Sequence, residues 1–488
     1  MNHQPLSFDR SPASAPNAAT AAASACPGLL RIVPARDGGI CRVRLPGGRL
    51  SVAQALALAD AAAQCGSGVL EITNRANVQV RGVEPARAAA LIDSLIGAGL
   101  GPTVAGADDV RNLLLSPSAG IDTAALLDVE PLAANILGLL QTHTDLHRLN
   151  PKFALQLDGG EHAAMLEHPH DLWLAALPDG ERLAFGLAGC PPLAAGSAPA
   201  LAALPKRNAL ELIEAALRLF LDCVQPGQTR MRHLLATLPA EEFRALLQAR
   251  LSFQLQFDTA LSQWRRSPPA VDAHIGIHAQ RDRALCYVGA VPALGRIDGV
   301  QLRVLATLAR EHGGELRFTP WQSVLLANID AQAAPRLAQQ LEHAGFGCNP
   351  AAVLAHTIAC SGATGCAKGL ADTKGDARRL SELLERRIAA HSAAPLPSIH
   401  LTGCERSCAA AHRADFTLLA QQAGRYALYQ RTDNHRGFGR LLAQSTDIEA
   451  ACALIAATFL KQELEQELKK ELKQELNQTF NHDPELDT

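Results

Sequence analysis

Aromatic residues make up only 4% of this 488-residue chain, and charged residues only 19%. Lys and Arg (45) nearly balance Asp and Glu (48), for a formal net charge of −3. That balance excludes a generally basic nucleic-acid or membrane-surface binder and leaves room only for a local basic patch. No uninterrupted apolar run approaches the ~20 residues of a spanning helix. Residues 1–26, rich in Ala, Ser and Pro, lack the apolar core behind a basic leader that marks an export signal. They read as a disordered arm, and the protein as cytoplasmic, with no membrane or nucleic-acid partner. No Gly-x-Gly-x-x-Gly stands between a strand and a helix, so no dinucleotide site is expected.

What the chain does have is length, apolar bulk and cysteine. At 48% apolar it can bury two or three cores. Of its twelve cysteines, Cys360, Cys366, Cys404 and Cys408 cluster, and the other eight are scattered singly, as small core residues would be. A secreted disulfide scaffold is excluded by the size of the chain.

The chain also repeats itself. From Leu29 to Leu100 it reads as strands, a helix over Ala53–Gln64, a Gly break, the strands VLEIT and NVQVRGV, and a helix from Pro85. The order recurs from Ala273 to Gly347, with helices over Val300–Glu311 and Ala333–Ala344. Leu70, Thr73 and Val78 match Leu316, Thr319 and Val324 at an offset of 246. Downstream the same offset sets Leu114 against Cys360 and Gly120 against Cys366, while an offset of 244 sets Gly159 and Gly160 against Gly403 and Cys404. The expected fold class is therefore α+β and internally duplicated, with one site per chain, in the copy that keeps the cysteines. The expected divisions are an arm (1–26), a first half (27–104), a first α/β lobe with its helical connector over Leu201–Phe257 (105–268), a second half (269–349), a second lobe (350–446) and a helical tail (447–488). In the tail, Leu recurs every fourth residue from Leu460 to Leu476, a stripe too thin to bury firmly; it reads as an exposed helix or a partner-binding coil.

The cysteine pattern is two pairs, spaced x5 and x3, on two turns. Four soft thiolates suit zinc or an iron–sulfur cluster. Zinc knuckles favour shorter spacings, so a [4Fe-4S] cluster is the expectation. Period-two alternation puts Thr73, Arg75, Asn77, Gln79 and Arg81 on one strand face, and Arg42 and Arg44 on a neighbouring one. Such a face can simply be solvated, but no carboxylate interrupts it. Guanidiniums of this kind suit a ligand bearing several carboxylates, to which Arg111, Arg230 and Arg232 could add.

TNRANVQVRG, RFTPWQS and HLTGCERSC, with the duplicated unit, resemble the nitrite/sulfite reductase superfamily over roughly residues 27–445. Within it the resemblance is closest to the precorrin-3B synthase branch. It implies two ferredoxin-like halves forming a central domain, with two lobes closing around a tetrapyrrole beside a cluster on Cys360, Cys366, Cys404 and Cys408. It further implies O₂-dependent hydroxylation and γ-lactone formation on precorrin-3A, whose carboxylate arms would meet Arg42, Arg44, Arg75 and Arg81, with Asn77 and Gln79 hydrogen-bonding, and Arg111 and Lys152 nearby. A mononuclear non-haem iron would act in that chemistry, and NADH would supply electrons through a separate reductase. His356, His400, His412 and Asp415 are the nearby candidates for holding the iron. The alternatives are a sirohaem- and cluster-dependent sulfite or nitrite reductase, and a non-enzymatic electron carrier or tetrapyrrole scaffold. The reductases carry two lysines in a Lys-Phe-Lys segment; here NPKFALQL keeps Lys152 but has Ala154. Trp321 favours the precorrin branch, whereas Gln322 and Arg406 depart from its usual Arg and Lys.

Overall fold

Leu70, Ile72, Val78 and Val80 alternate with polar neighbours, and all four are buried where their two strands meet. This is the centre of the first half. The computed structural model describes residues 26–388, 395–412, 414–432 and 437–480; the expected N-terminal arm lies almost wholly outside them. The strands Val33–Ala35, Gly38–Val43, Val69–Ile72 and Val78–Val83 pair antiparallel, with the helix Val52–Cys65 against them. The second half repeats this with Gly276–Ala279, Leu285–Pro292, Glu315–Phe318, Val324–Asp330 and the helix Gly299–Glu311. Both helices open with a capping box, Ser51 with Gln54 and Asp298 with Gln301, which satisfies otherwise orphaned amides. The two helices pack on each other over one shared core.

The halves also trade strands. Arg49–Leu50 of the first half pairs with Glu315–Phe318 of the second, and Arg296–Asp298 of the second pairs with Val69–Ile72 of the first. Each traded strand follows a tight turn with two consecutive left-handed residues, Gly47 and Gly48 in one half, Leu294 and Gly295 in the other. Neither sheet is complete without the other half.

Each half leads into a lobe whose sheet has two parallel pairings followed by two antiparallel ones. Leu113↔Leu155 and Leu155↔Leu172 in the first lobe recur as Thr357↔Ile399 and Ile399↔Phe416 in the second. The parallel strands of the two lobes therefore correspond in register at an offset of 244. This corrects the expected cysteine counterparts: Ser116 stands for Cys360 and Asp122 for Cys366, with Gly160 and Ala164 for Cys404 and Cys408. In the first lobe the Ser116, Ser118 and Asp122 side chains hydrogen-bond to one another (3.0 and 2.6 Å), filling with polar contacts the place that thiols hold in the second.

Two further expectations change. Ala202–Pro205 in the connector is an edge strand, followed by the helices Ala209–Cys223, Met231–Leu234 and Ala240–Gln248. The terminal helix Ile448–Phe480 begins as core, because Ala451, Cys452 and Ile455 are buried in the second lobe, whereas Leu464 and Leu468 are exposed. Of the scattered cysteines, Cys41, Cys65, Cys286, Cys348 and Cys452 lie in the cores. No helix among the described residues is long and apolar enough to cross a membrane.

Gly48 tests the strand exchange. It has φ +73°, and a Cβ there would lie 2.1 Å from the Phe318 carbonyl oxygen in the other half. Gly48→Ala should lower the free energy of unfolding by at least ~2 kcal/mol, read as a lower urea midpoint; an unchanged midpoint would show that the traded strand is dispensable.

Candidate functional site

The turns Thr73–Asn77 and Thr319–Ser323 are equivalent in the two halves, each closed by a backbone bond from the first residue to the fifth and each with one left-handed residue, Ala76 or Gln322. Both reach the same loop of the second lobe. Asn74 Nδ2 donates to the Cys408 carbonyl (3.3 Å), and Gln322 Nε2 donates to that of Ala409 (3.1 Å). The expected strand face therefore stops short: regular pairing starts at Val78, and Arg75 projects from a turn.

Cys360 follows the strand Thr357–Ala359, and Cys404 lies just past the parallel neighbour Ile399–Thr402, so two adjacent strand ends deliver the two pairs. Cys360 Sγ accepts the Gly403 N–H (3.1 Å) and lies 3.6 Å from Thr373 Oγ1. Burial, and then Cys404, Cys360 and Cys366, push the Cys408 thiol up, which marks the other three sulfurs as its electrostatic neighbours. Gly362, left-handed at φ +58°, lets this loop fold against Ala371, whose carbonyl would lie 2.6 Å from a Cβ. Among the described residues, no three His, Cys, Asp or Glu side chains converge closely enough for a single metal ion. Four soft thiolates delivered by two adjacent strand ends are a donor set that suits an iron–sulfur cluster.

The guanidiniums divide into two classes. Arg44 is 2% exposed, with Nε on Asn112 (2.9 Å) and ion pairs to Asp108 and Asp109 (3.7 and 3.6 Å). Arg81 is bound by Asp37 (2.8 Å) and donates to the Gly365 carbonyl (3.0 Å). Arg111 is buried beside Asp108 (3.7 Å), and Arg230 is paired with Asp171 (2.8 Å). For Arg44, Arg81 and Arg230 the neutralising carboxylates arrive from distant segments that strand alternation cannot register, whereas Asp108 lies one turn before Arg111. Asn77 is also committed, its Oδ1 accepting from Leu45 N (2.9 Å). Lys152 is exposed, with only its backbone bonded, to Asn150. Arg42 and Arg75, by contrast, are partly buried yet make no ion pair among the described residues. Arg42 meets its cross-strand neighbour Gln79, whose amide oxygen, turned toward it, accepts two N–H bonds (2.7 and 3.2 Å). Arg75 makes no side-chain hydrogen bond or ion pair among the described residues. Burial, together with neighbouring arginines, pulls Arg42 and Arg75 down to about 10. Each therefore gains from an incoming anion.

His168 and His170, which sequence reading missed, lie near Arg75 and belong to a wider set of buried histidines. His168 Nε2 and His412 Nδ1 are 2.9 Å apart, with stacked rings, and the two positions are themselves equivalent at the lobe offset of 244. His170 lies near Arg75, and His274 stacks on Trp321 at 4.6 Å between centroids. Burial pushes His170, His274 and His400 down to about 3 and lowers His168 and His412 too, so the group is uncharged at neutral pH. The repeat was the available signal for His168. The expected iron ligands do not assemble: His356 Nε2 turns to the Pro350 carbonyl (2.6 Å), and Asp415 is held by Ser398 (2.7 and 2.8 Å). Those residues do not fit a mononuclear iron, and no step is derived through one.

The ferredoxin-like half domain of nitrite/sulfite reductases matches residues 33–98 and 278–344, and the nitrite and sulphite reductase 4Fe-4S domain matches residues 106–255. The ferredoxin–nitrite reductase of Synechococcus elongatus is 31% identical over 398 residues, covering 78% of this chain and 76% of that protein. The chain belongs to the nitrite and sulphite reductase family. The chloroplastic ferredoxin–nitrite reductase of Zea mays is 30% identical over 397 residues, 77% of this chain and 68% of that protein. The chain spans about two thirds of the length of such plant relatives. In fold it is similar to the Mycobacterium tuberculosis NirA protein, with a TM-score of 0.71 at 24% identity, covering 86% of this chain and 79% of that one. The matched 4Fe-4S domain region falls on the first lobe, which has lost the cysteine pairs; the four clustered cysteines lie in its second-lobe counterpart. These relatives are named as ferredoxin–nitrite reductases, and neither name mentions precorrin-3A, a non-haem iron or NADH, which the sequence motifs lead one to expect.

The neutral histidines set a pH signature. Their native pKa values lie below the ordinary 6.5, so as pH falls the unfolded chain takes up protons first, and stability declines from about pH 6.5 toward 3. The urea midpoint should drop between pH 7 and pH 5, above the carboxylate range; a flat midpoint there would contradict the buried neutral set.

Proposed function

We propose that the protein is an electron-transferring oxidoreductase of the nitrite reductase kind, with Cys360, Cys366, Cys404 and Cys408 holding a [4Fe-4S] cluster and Arg42 and Arg75 holding the carboxylates of sirohaem. The observation that carries this reading is adjacency: Asn74 bonds the Cys408 carbonyl, and the next residue is the open cation Arg75. Bound there, the cluster would supply single electrons and sirohaem the iron at which nitrite or sulfite is reduced. The chain's own residues do the rest. Gln79 aims the Arg42 guanidinium, Arg75 stands ready for a second carboxylate, and Asn74 and Gln322 lock the Cys408 loop against the central domain. The His168–His412 pair carries one shared hydrogen between Nε2 and Nδ1 without adding charge. Electrons would come from a separate ferredoxin-type donor, as the relatives' names suggest.

One observation favours a second reading. Ala154, where the reductases carry their second lysine, is 2% exposed, and its backbone is tied to Asp171 on the neighbouring segment. Neutral His170 lies nearby in place of a cation for a small anion. In this reading Arg42 and Arg75 bind the acetate and propionate arms of precorrin-3A itself, with O₂ as co-substrate and the cluster fed by a separate NADH-dependent reductase.

Anaerobically purified protein decides between them. The first reading expects four irons and four sulfides per cluster, a bound sirohaem chromophore, and nitrite or sulfite reduction with reduced ferredoxin. The second expects the same cluster without the chromophore, and O₂-dependent lactone formation from added precorrin-3A. Protein without iron and sulfide would sink both, and Cys404→Ser should lose the broad cluster absorption in either case. Arg75→Ala should weaken retention of the ring at least tenfold, about 1.4 kcal/mol for a charge-assisted contact, while leaving the urea midpoint of ring-free protein unchanged or raised. Arg44→Ala should lower that midpoint instead, since it removes a buried cation from Asp108 and Asp109 and leaves Asn112 Oδ1 without its donor.

A further inference from the structure

Behind the Cys360 loop lies a charged network that holds the loop's backbone and brings a cation beside it. Glu71, on a central strand of the first half, accepts from Ser361 Oγ (2.9 Å) and Arg296 Nη2 (2.8 Å), with Lys374 and Arg81 each at 3.8 Å. Burial opposes its ionisation, but Lys374, Arg81 and Arg296 together hold the carboxyl down to about 2. Lys374 Nζ donates to the carbonyls of Leu294 (2.7 Å) and Ala359 (3.1 Å). Ala359 and Ser361 are the two sequence neighbours of Cys360, so one cation and one anion grip the chain on either side of a clustered thiol.

The duplication provides an internal control. At the offsets of the two repeats, Glu71 corresponds to Arg317 and Lys374 to Glu130, and strand pairing sets Arg296, opposite Glu71, against Arg49, opposite Arg317. In the cysteine-free lobe Arg317 lies 3.8 Å from Glu130, and Arg49 forms a close ion pair with the same carboxylate. The interface is conserved as an ion pair, but its sign is reversed. Glu130 stands in the first turn of the helix Glu130–Thr142, where the helix dipole favours an acid. Lys374 stands in the first turn of the equivalent helix Thr373–Ile388, where the dipole disfavours a cation. The arrangement that suits the helix occurs where there are no thiols, and the one that opposes it occurs beside them.

Resting on the cluster assignment above, we infer that Lys374 is a positioning residue whose charge sets the reduction potential of the cluster, with Glu71 as its counter-ion. Four thiolates around a [4Fe-4S] core give a net anion that becomes more negative when it accepts one electron from the donor; no bond is made or broken. A fixed ammonium beside the Cys360 backbone favours the reduced form, and a nearby carboxylate opposes it.

The test is a dithionite titration of the full-length, cluster-loaded protein, with the reduced cluster followed by electron paramagnetic resonance. Lys374→Gln should lower the potential: where the native cluster is half reduced, its reduced-to-oxidised ratio should fall about tenfold, or about 59 mV for one electron. Glu71→Gln should move it upward, Lys374→Arg should stay near native, and Glu130→Gln, in the thiol-free lobe, should not move it. Shifts of Lys374→Gln and Glu71→Gln in the same direction, or no shift in variants with full iron and sulfide, would overturn the inference. If Lys374→Gln retains no cluster, Glu71→Gln decides: an upward shift supports it and an unmoved potential refutes it. Native protein lacking iron and sulfide would instead bring down the cluster assignment, and this inference with it.

Discussion

The exchange of two short strands between the halves is the constraint on which the rest of the structure depends. Arg49–Leu50 completes the second half's sheet, and Arg296–Asp298 completes the first's. Neither half can then shift without breaking a ladder in the other, so the turns Thr73–Asn77 and Thr319–Ser323 are held at a set separation. That separation lets Asn74 and Gln322 grip successive carbonyls, those of Cys408 and Ala409. A thiol-bearing loop is thereby fixed by two turns that are more than 240 residues apart in sequence.

The electrostatics follow from this frame. Most buried arginines are used inside the protein: Arg44, Arg81, Arg317 and Arg266 all meet carboxylates or carbonyls, as buried charge requires. Arg42 and Arg75 stand apart because they make no ion pair among the described residues: Arg42 meets an amide, and Asp171, the carboxylate that acts on Arg75, is already paired with Arg230. Two partly buried positive charges of this kind gain from a ligand that brings carboxylates. Two cavities, of about 170 and 390 Å³, lie elsewhere on the first lobe and are lined by Glu161 and Arg266 and by Trp173 and Cys190 respectively.

Much of this was readable in the chain. The repeat, the helices near Val52–Cys65 and Gly299–Glu311, and the clustering of four cysteines depend on local periodicity and spacing, which sequence records directly. The partners of Arg44 and Arg81 were not readable, since Asp108 and Asp37 reach them only through the tertiary fold. Arg75 looked like a strand residue because alternation continues through TNRANVQV, yet Ala76 adopts a left-handed turn. The counterparts of Cys360 and Cys366 were misjudged by two residues because the halves repeat at 246 and the lobes at 244. Glu71 was hidden as one acid in an apolar strand, and only its three cationic neighbours reveal its place. The family resemblance found the fold, while its finer branch rested on Trp321 and Ala154 against relatives named as nitrite reductases.

His168 and His412 hydrogen-bond to each other although each is the other's copy. In an assembly of two identical subunits, a residue beside the two-fold axis meets itself, and every substitution is made twice. Joining both copies in one chain removes that restriction. One lobe can keep thiols while the other fills the same place with Ser116, Ser118 and Asp122, and one interface can carry Lys374 where its twin carries Glu130. A symmetric dimer could not hold such a one-sided charge pattern, so the covalent fusion of the halves is what permits a single polarised centre.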